Sequence, residues 1–465
     1  MTHRSRRQAP YAYGLPKTLT FNADTFEQRG VNMDDLTMLI NKHERIFPRY
    51  LYLENLYHGF FGMLTEEAKE DWKPDNRLAV NFPRYMTETF TGYGYGIPIQ
   101  EKSSEEDIDK AVQAFIESNE MPDHEIEMAK LCCIYGHAWE YLYQDEETQT
   151  KITAFNPKEV FCVYDDTLKG RALFAIRYGY HTLDDLSRVR YGEILTRDRI
   201  ITFDNNKFTG ERLNPYGYIP VVEWKLNEER IGLYEDAAAL IESFSHTISE
   251  KANDVDAFAE AYLAILGTEV DEDGVKRIRD DRIINIYGTD DAKEILVQFL
   301  TKPTADGTQE NLLQREEDLI YRTSMVANIS DETFGSATSG KALKFKVWAM
   351  SNLAQTFDNK ILKSLKKRYK IWSALSTNTR NADAWQTMSF TFSRNIPDTM
   401  DDMKDEAEIA VKLKDLVSDE TLLGVLKSLV PDPEAELDKI EEQTAGAENS
   451  LIDRLMQQSA ATPEE

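Results

Sequence analysis

Along most of this chain apolar residues recur three and four positions apart, and in one central stretch the period changes to two. Leu36, Leu39 and Ile40 share a helical face, continued by Phe47, Tyr50, Leu53, Leu56 and Tyr57 until Gly59 and Gly62 break the pattern. Helices are predicted over Phe82 to Phe90, Ser104 to Asn119, and Tyr135 back to an N-cap at Asp123. Between the first two, Gly92-Tyr93-Gly94-Tyr95-Gly96-Ile97-Pro98-Ile99 reads as a close backbone packing point leading into extended chain. From Ala138 to Phe208 side chains alternate, with strands predicted at Trp139 to Tyr143, Val160 to Tyr164, Leu173 to Tyr180 and Val189 to Leu195. No regular helices separate these strands, which argues for an α+β arrangement rather than a doubly wound sheet.

Long helices dominate the second half. Gly232 to Leu266 carries the stripe Leu233, Ala237, Ile241, Phe244, Ile248, Val255, Phe258 and Tyr262, a rod of roughly 50 Å at 1.5 Å per residue. Two short β-like runs follow, Arg282 to Tyr287 and Ile295 to Leu300. A second helix is predicted over Gly307 to Asn328, with Leu312, Leu319, Ile320, Met325 and Val326 as its apolar positions. A small-residue loop, Ser330 to Gly340, leads to a third helix, Lys341 to Leu375. Its face holds Phe357, Ile361, Leu365 and Trp372, and Lys344, Lys346, Lys360, Lys363, Lys366, Lys367, Arg368 and Lys370 make it basic. Trp385 to Phe392 alternates as a late strand returning to the earlier sheet, and the acidic tail from Met400 is helical, stopped by Pro431 and Pro433. The first 29 residues lack periodicity and read as an extended arm.

Of 465 residues, 41% are hydrophobic, enough for real cores and, by length, about three domains. Asp and Glu number 82 against 54 Lys and Arg, a net charge of -28. That balance argues against coating nucleic acid, which needs cations to neutralise phosphate. It is compatible with a protein past which nucleic acid slides. No apolar run approaches the roughly 20 residues that span a bilayer. Arg4, Arg6 and Arg7 precede no apolar run, so Met1 to Gly14 does not read as a secretory signal. Cys132, Cys133 and Cys162 lack metal-ligand spacing and read as reduced, buried residues.

Catalytic signatures are thin. Gly335-Ser336-Ala337-Thr338-Ser339-Gly340-Lys341-Ala342 fits seven positions of a phosphate-binding loop, yet Ala342 stands where a Mg²⁺-binding hydroxyl belongs. A helix precedes it where the motif needs a strand, so a loop between two helices is the plainer reading. No histidine pair has zinc spacing, and His137 beside Gly136 and Trp139 reads as a hydrogen-bonded interior imidazole. Asp331-Glu332 and Asp271-Glu272-Asp273-Gly274 read as solvated turns. The chain is read as a non-enzyme without cofactor or metal.

What remains is order. Asn81-Phe82-Pro83, the Gly-Tyr run at 92–99, Ile134-Tyr135-Gly136-His137-Ala138-Trp139-Glu140 and Asn156-Pro157-Lys158-Glu159-Val160 occur in sequence. They are followed by Asn328-Ile329-Ser330-Asp331-Glu332-Thr333-Phe334-Gly335, Ser339-Gly340-Lys341-Ala342-Leu343-Lys344 and Val417-Ser418-Asp419-Glu420-Thr421-Leu422-Leu423. Together these segments resemble the portal proteins of tailed bacteriophages, of the type found in a Bacillus siphophage, from about Leu36 to Gln443.

The resemblance implies a portal-type α+β subunit in a dodecameric ring at one capsid vertex, assembled in the host cytoplasm. Double-stranded DNA passes through its channel on packaging and ejection. By position it implies an arm (1–30), a wing (31–227, joined by strand 385–397), stem helices (228–266 and 307–328) and a clip (267–306). A tunnel loop (329–340), a wing-spanning helix (341–377), a crown (398–443) and a flexible tail (444–465) complete it. Implied partners are other copies, DNA, the terminase large subunit, the head-tail connector or adaptor, and capsid and scaffolding proteins, with no membrane. Ser336, Thr338, Ser339, Lys341 and Lys344 are the DNA-facing candidates. Glu235, Glu242 and Asp256 are candidates to line the channel, and equally fit a solvated helix face. The basic third helix fits pairing with a neighbour's acidic surface, or DNA contact. A nucleotide-binding packaging enzyme built on Gly335 to Lys341, and a ring scaffold that never meets DNA, are the alternatives.

Overall fold

A computed structural model describes residues 18–70, 73–182, 188–259, 263–266, 296–299, 306–329, 344–395, 400–414 and 416–426, with 430, 436–437 and 439–440. The chain is α+β and divides into two units, Met1–Val326 with Ala354–Ser393, and Ala327–Leu353 with Arg394–Glu465.

In the first unit, strands β1 (Leu19–Phe21), β5 (Val160–Asp165), β6 (Ala172–Thr182), β7 (Arg188–Leu195), β8 (Arg199–Asp204) and β9 (Lys207–Leu213) form one sheet in the order β1-β5-β6-β7-β8-β9. β1 runs parallel to β5 and the other pairs are antiparallel. The period of two decides its faces. Phe161 and Val163 point to one side, against Leu36, Leu39 and Ile40 of α2 (Met33–Glu44). Val160 and Cys162 point to the other, against Trp139 and Val221 of a three-stranded sheet, β10 (Val221–Lys225), β3 (His137–Gln144) and β4 (Thr150–Phe155). Beyond lie α1 (Ala23–Arg29), α3 (Phe47–Tyr57), α4 (Phe82–Tyr95), α5 (Glu106–Ser118), α6 (Met121–Tyr135), α7 (Ala238–Ala259) and α8 (Asp306–Ser324). The helix α9 (Trp348–Trp372) begins in the second unit and continues through the first. The second unit also holds α10 (Met400–Leu413) and α11 (Asp419–Val425), which pack on each other.

Several expectations are corrected. The arm is not all extended: Leu19–Phe21 pair with Val163–Asp165, and Ala23–Arg29 is helical, capped by Asn22 accepting from Thr25 N at 2.9 Å. The Gly-Tyr run is helical through Tyr95, and a Cβ on Gly92 or Gly94 would meet nothing within 4 Å, so no close backbone approach demands those glycines. Tyr93 and Tyr95 anchor this last turn; Tyr95 is buried, edge-on to Phe357, and donates to Asp358 Oδ1 at 3.1 Å. The N-cap of α6 is Glu120, not Asp123; Pro122 lies in the first turn, where a missing N–H costs nothing, and Asp123 follows it there.

The long helix after Gly232 is shorter than its stripe suggested. Leu233 N donates to Cys133 O at 2.7 Å, which commits the backbone before a helix can start, and a 3-10 turn, Glu235–Ala237, intervenes. α7 is 22 residues, about 33 Å, and Leu263–Leu266 is the strand β11, antiparallel to β12 (Leu296–Phe299). On α8, Leu313 and Ile320 are buried while Leu312 is exposed, and the helix ends at Ser324 rather than Asn328, leaving Met325 beyond it at φ 58 and exposed. The late strand, β13 (Met388–Thr391), pairs with β2 (Gln100–Ser103) alone rather than with the larger sheets. The β-like run at 282–287 and the loop at 330–340 lie outside the described residues.

Candidate functional site

The acidic candidates sit on or just before α7 and differ sharply. Glu235 is in the 3-10 turn with its side chain 10% exposed. Arg49 of α3 donates to it through Nε at 2.7 Å and a terminal nitrogen at 2.5 Å, and Gly232 N adds a bond at 2.9 Å. Its charge is spent inside the fold. Glu242 is half-buried and engaged by a neighbour. Asp256 is exposed and accepts from Asn76 Nδ2 at 2.5 Å. Lys344 is exposed, in a helical turn at 344–346 of the second unit. Ser336, Thr338, Ser339 and Lys341 lie outside the described residues.

α7 and α8 run antiparallel. Ser243 Oγ donates to Glu316 Oε1 at 2.6 Å, Gln309 Nε2 to Asp254 Oδ2 at 3.2 Å, and Lys251 pairs with Glu310. Because β11 follows α7 and β12 precedes α8, the two helices and the ribbon make one hairpin-like excursion from the sheets.

The other face of α7 holds a strap. Backbone N–H groups of Asn76, Leu78 and Val80, in extended chain, donate to Asn253 Oδ1 at 2.6 Å, Ser249 Oγ at 2.9 Å and Ser245 Oγ at 3.3 Å. Alternate residues of extended chain advance about 6.6 Å and four helical residues about 6.0 Å, so the two rows keep step.

The basic helix turns one cation, Arg368, fully inward, while Lys363, Lys366 and Lys367 stay exposed. Arg368 of α9 is fully buried among three carboxylates. It donates to Glu140 of β3 at 2.7, 3.0 and 3.1 Å, to Glu125 of α6 at 2.7 Å and to Glu101 of β2 at 3.1 Å. Its guanidinium carbon lies 5.4 Å from the Trp224 ring centroid. Lys360 pairs with Glu228 at 2.7 Å, Lys367 donates to Val221 O at 2.9 Å, and Lys370 lies over Trp385 and Tyr218. These four residues thus have partners within the chain. Burial pushes the Glu140 carboxyl upward, but Arg368 and His124 outweigh it and bring it down to about 2.

A second interior network joins the sheets to α3. His137 is buried, Nδ1 3.0 Å from Glu223 and Nε2 2.9 Å from the Tyr50 hydroxyl, as an interior imidazole should be. Arg230 donates to Glu223 at 2.6 and 3.0 Å. Burial acts against the Glu223 charge, yet His137 and Arg230 hold that carboxyl far below its usual range. The three cysteines are buried, and burial pushes the Cys162 thiol up to about 12 and raises the other two as well, which suits packing and not nucleophilic attack. Among the described residues no group of three or more His, Cys, Asp and Glu is placed to hold a metal ion. No described helix is long and apolar enough to cross a membrane.

Among the described residues the geometry offers helices, a two-stranded ribbon and neutralised interior charge. The portal protein of Bacillus phage SPP1 is 22% identical over 439 residues, covering 86% of this chain and 83% of that protein. Residues 36–450 match the profile of the phage portal proteins described as SPP1 Gp6-like. The chain belongs to this family of phage portal proteins.

Proposed function

We propose that copies of this chain assemble into a ring, twelvefold by the family resemblance, at one capsid vertex, and that double-stranded DNA passes through its bore on packaging and ejection. The observation that carries the proposal is the family match across residues 36–450. Under it, α7 and α8 are the stem, the excursion between them that begins and ends with β11 and β12 is the clip that meets the terminase large subunit and later the connector, and α9 is the wing-spanning helix. α10 and α11 belong to the crown, and capsid and scaffolding proteins are partners at the rim.

A channel must not grip its cargo at every step. The net charge of -28, with Arg368 of α9 neutralised in the interior, supports a wall that repels phosphate. Glu242 and Asp256 remain the acidic lining candidates; Glu235, held by Arg49, does not. Ser336, Thr338, Ser339, Lys341 and Lys344 are proposed to meet the backbone without reading bases. Repetition around a ring multiplies each weak contact, so each must stay weak.

The test is mass photometry with negative-stain class averages of the full chain. A ring with an open axial bore is the expected result. A chain that stays monomeric at every concentration, or closes without a bore wide enough for a duplex, overturns the proposal. ATP hydrolysis by a monomer, lost in Lys341→Ala, would put a packaging enzyme in its place.

A further inference from the structure

The most concentrated charge in the interior lies where α6, α9, β2 and β3 meet, independently of how copies assemble. Glu101, Glu125 and Glu140 surround one guanidinium, Arg368, and all four residues are at most 3% exposed. Also facing this cluster are His124 of α6, whose Nε2 is 3.0 Å from Glu140 Oε2, and Tyr369 of α9, whose hydroxyl donates to Glu101 Oε2 at 2.5 Å. Trp224 of β10 covers the guanidinium, and Gln113 of α5 donates to the Glu101 carbonyl at 2.9 Å.

Charge counting sets the constraint. Three ionised carboxylates against one guanidinium leave two uncompensated negative charges out of water, and each buried ion without a partner costs several kcal/mol. Retaining a proton is the cheaper state. Hydrogen bonds say where the proton sits. Glu140 takes three contacts from Arg368 and one from His124, so it is the best-solvated anion. Glu101 receives Arg368 on one oxygen and Tyr369 on the other. Glu125 receives Arg368 alone.

We propose that Glu125 is a carboxylic acid in the folded chain at neutral pH, so that the joint between α6, α9 and the two strands is a proton-linked latch that loosens as pH rises. The electrostatics point the same way: burial raises the carboxyls of both Glu101 and Glu125, and at Glu125, which has the poorer hydrogen bonding of the two, the Glu101 charge adds to burial and carries it from 4.5 to about 8 against the pull of Arg368. The sign follows. The folded chain holds a proton that the unfolded chain releases, so this group's contribution to stability is full below 4.5 and is lost as pH rises toward 8.

The experiment measures the unfolding equilibrium of the full chain in urea at fixed protein concentration between pH 5.5 and 7.5, for wild type and Glu125→Gln. The amide mimics the neutral acid. Wild type should show an unfolding constant that climbs about tenfold more per pH unit than that of E125Q, the slope of one proton. The same pair in a His124→Gln background removes the imidazole and should keep the difference. Equal slopes overturn the proposal. Should E125Q fail to fold, wild type decides alone: the folded chain at pH 7 should display the infrared carbonyl band of a protonated carboxyl, and its absence overturns the proposal.

Discussion

Ser249→Ala tests whether the strap on α7 is held by side chains acting as backbone acceptors. Ser249 is 5% exposed, and its hydroxyl donates to Ser245 O at 2.6 Å while accepting from Leu78 N at 2.9 Å. Alanine keeps the helix, since the i to i−4 carbonyl bond contributes little, but leaves the Leu78 N–H without an acceptor. A partly buried donor stranded in this way costs about 1–3 kcal/mol, and each 1.4 kcal/mol is a factor of ten in an equilibrium. The assay is amide hydrogen exchange resolved at 76, 78 and 80. Leu78 should lose protection by about tenfold to hundredfold, and Asn76 and Val80, still held by Asn253 and Ser245, should lose much less. If all three amides lose protection equally, the helix and the extended chain separate as a body and the bonds are not individually responsible. If Leu78 is unchanged, water replaces the hydroxyl and the argument from spacing fails.

Three further substitutions test single positions. Arg368→Met removes the guanidinium from Glu101, Glu125 and Glu140 and should destabilise the chain by about 3–5 kcal/mol at pH 7.5 in urea unfolding. Part of the loss should return at pH 5.5, where protonating the remaining carboxyls is easier; a loss under about 1 kcal/mol at pH 7.5 would contradict the burial cost assigned to this cluster. Gly136 ends α6 at φ 85, and a Cβ there would lie 2.2 Å from Arg230 O, whereas Gly30 has φ 69 and open space. Gly136→Ala should therefore cost about 3 kcal/mol or more, and Gly30→Ala, at ψ -153 in a backbone region that almost only glycine adopts, about 1–3 kcal/mol of strain alone, read as melting midpoints.

How much of this was legible depends on which residues kept the period. Where a face is purely apolar, as in Leu36, Leu39 and Ile40, or a short run is apolar throughout, as in Val160 to Val163, the elements follow from local pattern alone. Strands β4, β8 and β9 went unread because Lys151, Arg199, Thr202 and Gly210 interrupt the alternation, and β9 is exposed along its whole length. The Gly-Tyr run misled because glycine is a poor helix former, a deficit of about 1 kcal/mol each, while two buried tyrosines outweigh it. The end of α7 misled for the opposite reason: apolar residues at 263–266 extend a helical stripe, but their backbone pairs with 296–299, a partner some thirty residues away that no local pattern announces.

The buried polar residues left a signal of a different kind. On α9 the apolar stripe runs Phe357, Ile361, Leu365 and Trp372, and Arg368 falls in phase with it, three residues after Leu365 and four before Trp372. A cation in the apolar register, beside Lys363 and Lys366 which lie off it and are exposed, was already marked as the odd member of a basic run. On α7 the row Ile241, Ser245, Ser249 and Asn253 advances by four, so an apolar stripe turns polar midway and predicts a hydrogen-bonding partner rather than a core. In both helices the polar residue on the buried line, not the abundance of charge around it, marks where the chain ties distant segments together. Counted by composition, α9 is a basic surface for phosphate; counted by register, its arginine belongs to Glu101, Glu125 and Glu140.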